Sequence, residues 1–179
     1  FSTCRRALHP HLQPKAAEAY QPLLMSHAKN LVLEILDDPH NFQNHVITFS
    51  SMTMMKVAYG TTTPTSATDP LVKEMYQLMK VVSKLLLPDA HYLVDSIPWL
   101  KHIHWYGREL KWGFERSKRL HTGQLNRVKD DVDIGPSFTR FMLENSDHYG
   151  LMEVEITFLS AAFFGAGSDT VRCFRCVRR

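Results

Sequence analysis

The sequence predicts an all-α fold, on three observations. Apolar residues recur at three- and four-residue spacing through each long segment. No stretch alternates apolar and polar residues between hairpin signals, so little or no sheet is expected. Proline, glycine and capping residues cut the chain into pieces of helical length. About seven helices are expected, in one unit, because no linker of distinct composition divides the chain.

Taken in order, Arg5–Leu12 forms a short helix end, stopped around Pro10 and Pro14. A long helix from about Pro22 to Leu36 aligns Leu24, Ala28, Leu31 and Ile35 on one face. Asp37-Asp38-Pro39 ends it, since the residue before proline is pushed out of the α region. The next helix, Asn41–Tyr59, places Phe42, Val46, Phe49 and Val57 near one stripe, with Gly60 as its C-cap. Thr61–Thr68 is a loop, after which Asp69-Pro70 supplies an N-cap and an N1 proline. That helix carries Leu71, Met75, Leu78, Val82 and Leu85 at helical spacing. Pro88–His104 is irregular and rich in apolar and aromatic residues, among them Ile97, Trp99 and Leu100. It is expected either to pack on the core as a loop or to rest in a membrane surface. The highly charged helix Trp105–Asp131 has a thin stripe of Leu110, Phe114, Leu125 and Val128. Gly135-Pro136 breaks the chain, Ser137–Leu143 is a short helix, and a polar turn through Gly150 leads into the last helix.

Bulk properties exclude several classes. A formal charge of +3 is too small to imply nucleic-acid binding. The positive charge along Arg108–Lys129 is interrupted by Glu109 and Glu115, as on a solvated helix face. No window reaches the roughly 18 uninterrupted apolar residues of a membrane span. No apolar signal region follows Phe1, and no methionine precedes it, so the chain is expected to start within a longer or processed protein. Three cysteines, an odd count without secreted-domain spacing, point to a reducing compartment. The ten histidines include pairs such as His9 with His11 and His102 with His104, but none has metal-ligand spacing. Cys173 and Cys176 lack the second ligand pair that a structural zinc site needs. No metal ligands are therefore assigned.

The stretch Phe158–Val171 is apolar nearly all the way round, which predicts burial. On helical spacing Ala162, Ala166 and Thr170 share one row, with Gly165 and Asp169 on the next. This is either a small-residue face for close helix packing or a wall for a flat ligand, with a proton-handling pair beside it. The segment 171–179 turns abruptly arginine-rich and is expected to be foreign to the fold, from a misread intron or shifted frame.

At Ala166-Gly-Ser-Asp-Thr170-Val the chain resembles the distal I helix of cytochromes P450, whose pattern is Ala/Gly-Gly-x-Asp/Glu-Thr-Thr/Ser. Phe1-Ser-Thr-Cys-Arg5 stands where the family has Trp-x-x-x-Arg on helix C. Between them, Tyr20-Gln-Pro, Ala58-Tyr-Gly60, Asp69-Pro-Leu and Val94-Asp-Ser-Ile-Pro98-Trp-Leu resemble the fungal microsomal pattern, in the family's order. The resemblance makes residues 1–170 a partial domain from helix C to the middle of helix I.

It implies a monooxygenase using haem b, O₂ and electrons from NADPH-cytochrome P450 reductase on a small apolar substrate. Arg5 would hold a haem propionate. Ala166 and Gly167 would let oxygen and substrate approach, Ala162 and Phe163 would line the pocket, and Asp169 and Thr170 would deliver protons. Ile97, Trp99 and Leu100 would touch the membrane, on the cytoplasmic face of the endoplasmic reticulum. Phe1 lacks the indole N–H of the usual tryptophan, and Val171 replaces a second alcohol. The family's Glu-x-x-Arg and axial-cysteine loop are absent, and Cys4, Cys173 and Cys176 lie in no such context. The chain alone is therefore expected to be inactive and loosely folded. The rival reading is a non-catalytic helical module that packs a helix or lipid.

Overall fold

A computed structural model describes residues 2–61, 68–85, 108–131 and 134–172. Among them are nine α-helices and no strand. The helix α1 (Ser2–Leu8) runs into a 3-10 turn at His9–His11, and α2 (Pro14–Ala19) follows. Pro14 was expected as a stop; it sits instead at the first position of a new helix, where its missing N–H costs nothing. Next come α3 (Gln21–Asp37), a 3-10 turn at Pro39–Asn41 and α4 (Phe42–Tyr59). After these come α5 (Pro70–Leu85), α6 (Arg108–Asp130), α7 (Phe138–Glu144), α8 (Ser146–Tyr149) and α9 (Glu153–Arg172). The extra helices relative to expectation are α2 and α8, each too short to show periodicity.

The capping expectations hold. Asp69 accepts the Leu71 N–H at 2.8 Å; Ser137, expected as the first helical residue, sits just before α7 and caps it, accepting the Arg140 N–H at 3.2 Å. Gly60 closes α4 with φ of 77°. The aromatic segment with Ile97, Trp99 and Leu100 lies outside the described residues, as does the tail from Cys173 onward. No helix among the described residues is long and apolar enough to cross a membrane.

Two clusters form the core, and α9 joins both. One gathers Met55, Ala58 and Tyr59 of α4, Met75 of α5, Val128 of α6, Phe164 of α9, and Ile134 from the segment before α7. The other gathers Ala7 of α1, Leu125 of α6, Phe138 and Met142 of α7, Ile156 of α9, and Leu151 just before α9. Cys4 packs at the edge of this second cluster. The charged face of α6 is solvated: Lys111, Glu115, Lys118, Arg119 and Arg127 are exposed.

Three stripes differ from expectation. In α3 no residue is buried, and Leu24, Met25, Val32, Leu33 and Leu36 face solvent. Ala28, Leu31 and Ile35 of the expected stripe are half buried, and beside them His27 adds a polar contact with α4, hydrogen-bonding Thr53 at 2.9 Å. In α4, Phe42 is exposed, and the buried positions are largely small and polar: Thr48, Ser50, Ser51 and Thr53. This helix is packed between α3 and α9, and small side chains let both neighbours approach. In α6, Phe114 is half exposed, although it stacks on Phe158 of α9 with centroids 5.5 Å apart.

Within the core, the Tyr59 hydroxyl and His121 Nδ1 lie 3.1 Å apart, both side chains nearly sealed from solvent. Burial lowers the His121 pKa to about 4 and raises that of Tyr59, so the pair is neutral at pH 7. The unfolded chain takes up a proton on this histidine below about pH 6.5, whereas the folded chain resists until about pH 4. Stability is therefore expected to fall as pH drops through that window, by up to about 3 kcal/mol. Denaturant titrations of wild type and His121→Asn at pH 7 and pH 4.5 check this; equal slopes with pH would refute it.

Candidate functional site

The candidate site lies on α9, whose burial alternates by side. Ala161, Phe164, Gly165 and Ser168 are buried, whereas Ala162 and Ala166 are exposed. The helix is thus apolar all round in sequence but not buried all round. One row of small residues, Ala162 and Ala166, stays open, and Thr170 follows at the same spacing. Near the N-terminal end of α9, Phe158 and the stacked Phe114 extend the same row. The backbone of α9 is helical through Asp169 and Thr170 to Arg172.

The other predicted residues divide. Phe163 stacks on Phe138 at 4.5 Å with planes 7° apart and packs against both core clusters. It is part of the core rather than of the open row. Gly167 faces α4: a Cβ there would overlap the Sδ and Cε of Met54 and lie 3.0 Å from its Cγ. Its lack of a side chain serves the α4–α9 crossing. Arg5 is exposed and makes no ion pair among the described residues. It lines an open groove of about 630 Å³ with Leu8, His9, Leu12, Gln13 and Pro14. Its neighbour Ala7 is fully buried and ties α1 to the second cluster, which fixes the helix that carries the guanidinium.

Sequence reasoning missed the α4 residues that meet this helix. The Ser50 hydroxyl donates to the main-chain carbonyl of Ser168 at 3.3 Å. Thr139 of α7 donates to the Ala58 carbonyl at 2.7 Å and is within 2.9 Å of the Ser160 hydroxyl on α9. The only sequence signal was a run of hydroxyls, Ser50, Ser51 and Thr53, interleaved with methionines in the middle of a helix. Two of the histidines make structural contacts: His11 packs edge-on against Phe138 and Phe141, and His45 meets Glu34 at 3.4 Å and the Asp38 carbonyl at 3.1 Å. Among the described residues no three of His, Cys, Asp and Glu gather to hold a metal.

No family model matches the chain, and no solved structure does. Curated proteins do match it along nearly its whole length. Cytochrome P450 monooxygenase 113 of Postia placenta is 41% identical over 170 residues, covering 93% of this chain and 34% of that protein. Cytochrome P450 monooxygenase 88 of the same fungus is 40% identical over 169 residues, with the same coverage of each chain. The cytochrome P450 monooxygenase claT of Ampulloclitocybe clavipes is 29% identical over 178 residues, covering 95% of this chain and 35% of its own. The chain thus spans about a third of the length of these relatives. With matches of this identity along 93% of its residues, the chain belongs to the cytochrome P450 family, as a segment of it.

Proposed function

We propose that the protein carrying this chain is a haem-dependent monooxygenase that oxidises a small apolar substrate with electrons from NADPH-cytochrome P450 reductase. The observation that carries the reading is the open Ala162–Ala166 row, one turn before Thr170 on the helix that both core clusters anchor. Haem, when bound, supplies the oxygen chemistry. The residues here fit such a group. Small side chains at 162 and 166 admit a flat ring against the helix, where larger ones would hold it away. The exposed Arg5 guanidinium suits a propionate, a planar carboxylate that arginine grips with two parallel hydrogen bonds. Thr170 orients a water in the pocket, and the Asp169 carboxylate passes protons to it from solvent. No cysteine of this chain stands in the family's ligand loop, so no iron-binding thiolate is assigned to its residues. By the same resemblance Ile97, Trp99 and Leu100 meet the cytoplasmic face of the endoplasmic reticulum membrane.

The test is Thr170→Ala in the haem-loaded full-length protein, with reductase. Product formed per NADPH is expected to fall by at least about tenfold, with peroxide rising in its place. An unchanged product-to-peroxide ratio would remove the proton-delivery role. Failure of the wild-type protein to bind haem would overturn the whole reading. It would leave the rival, a non-catalytic helical module, which draws its support from the exposed apolar side of α3.

A further inference from the structure

We infer that Ser50 is a positioning residue for the Asp169–Thr170 pair, acting from α4 on the main chain of α9 rather than on any side chain; this rests on the proton-delivery role proposed above. Ser50 and Ser168 are 3% and 2% exposed, so the bond from the Ser50 hydroxyl to the Ser168 carbonyl is shielded from water. The Ser168 hydroxyl makes no hydrogen bond among the described residues. What α4 holds at this position is therefore the peptide that leads directly into Asp169.

That carbonyl has a second duty. In a regular helix it accepts the N–H four residues on, which is Arg172 in α9. A carbonyl has two lone pairs and can accept both donors, but a side chain entering the ladder tilts the carbonyl outward and bends the helix there. The 3.3 Å distance, long for a hydroxyl donor, fits a carbonyl shared in this way. The turn so affected, residues 168–172, contains Asp169 and Thr170.

The preceding turn is poorly able to set its own course. Gly165 and Gly167 are weak helix formers, so external contacts decide where this part of α9 lies. Met54, one turn after Ser50 on the same face of α4, lies against Gly167. Ser50 and Met54 thus grip two consecutive residues, 168 and 167, just before the acid. Without the Ser50 hydroxyl, the Ser168 carbonyl returns to the helix ladder and the turn tightens. The main chain at Asp169 and Thr170 then shifts relative to the Ala162–Ala166 row.

The experiment compares Ser50→Ala and Ser50→Thr with wild type in the full-length protein, by amide hydrogen exchange and by product formed per NADPH. In Ser50→Ala, exchange of the Arg172 amide is expected to slow by about three- to tenfold, because its bond to Ser168 strengthens. Product per NADPH falls severalfold with KM unchanged, and Ser50→Thr restores both. A residue that merely filled space would do the opposite, speeding exchange throughout α4 and α9. That result, or no change at Arg172, would overturn the inference. The two claims separate cleanly. If Thr170→Ala leaves coupling intact, the proton-delivery reading fails; if Thr170→Ala uncouples but Ser50→Ala changes nothing, only the role of Ser50 fails.

Discussion

Replacing Phe138 with alanine is expected to cost about 4 kcal/mol of stability. Phe138 is fully buried on α7 and stacks face to face on Phe163 of α9, with His11 edge-on at 5.1 Å. Around it lie Ala7 of α1, Leu125 of α6, Met142 and Ile156. Truncation removes the transfer energy of the ring and leaves a cavity lined by four helices, none of which can close in without disturbing another. The ring also carries the α1 attachment, so Arg5 should lose its fixed place on the fold. Phe138→Leu keeps much of the volume and should cost less, about 1–2 kcal/mol. Equilibrium denaturation of the full-length protein measures both. A loss under about 1 kcal/mol for Phe138→Ala would show that the second cluster relaxes around the gap.

Much of the fold was legible because it depends on local chemistry. Helix ends were read from Asp69 and Gly60, whose caps act within a few residues. Which side of each helix is covered was less legible. The spacing of Leu24, Ala28, Leu31 and Ile35 picks out the side on which Ala28, Leu31 and Ile35 are half covered and Leu31 lies near Phe49 and Met52 of α4, but gives no reason for Leu24 and the other apolar residues of α3 to stay exposed. In α4 the apolar stripe through Phe42 was misleading. A helix packed on both sides is ruled by closeness of approach, and there Ser50, Ser51 and Thr53 are more at home than phenylalanine.

The site followed the same division. Helical spacing placed Ala162, Ala166 and Thr170 on one row, and the two alanines are indeed on the open side of α9. Spacing alone gave no reason to separate Gly167 from them. Only the Met54 contact shows that this glycine serves the crossing with α4. For Phe163 spacing is equally silent: an aromatic beside an open row can point either way, and here it stacks on Phe138. The cross-helix bond from Ser50 to Ser168 joins residues 118 apart in sequence and leaves no local trace.

Gly60→Ala is the second large effect expected, at about 3 kcal/mol. Two costs combine there. The residue has φ of 77°, a region that costs an L side chain roughly 1 kcal/mol or more. A Cβ would also lie 2.5 Å from Ile134 Cγ2, 2.7 Å from the Gly135 carbonyl oxygen and 3.3 Å from Ser137 Cβ. The oxygen belongs to the main chain and cannot swing aside, so the chain leading into α7 must shift as a whole. Gly150 separates the two costs, because it has φ of 62° but nothing within 4 Å of where a Cβ would stand. Gly150→Ala should therefore cost only the conformational part, about 1 kcal/mol, and Gly150→Asn less still, since asparagine tolerates this region. At position 60 asparagine should give little relief, because its Cβ meets the same atoms. If Gly60→Asn were as mild as Gly150→Asn, the close approach of α4 to the Ile134–Ser137 segment would not be what requires the glycine.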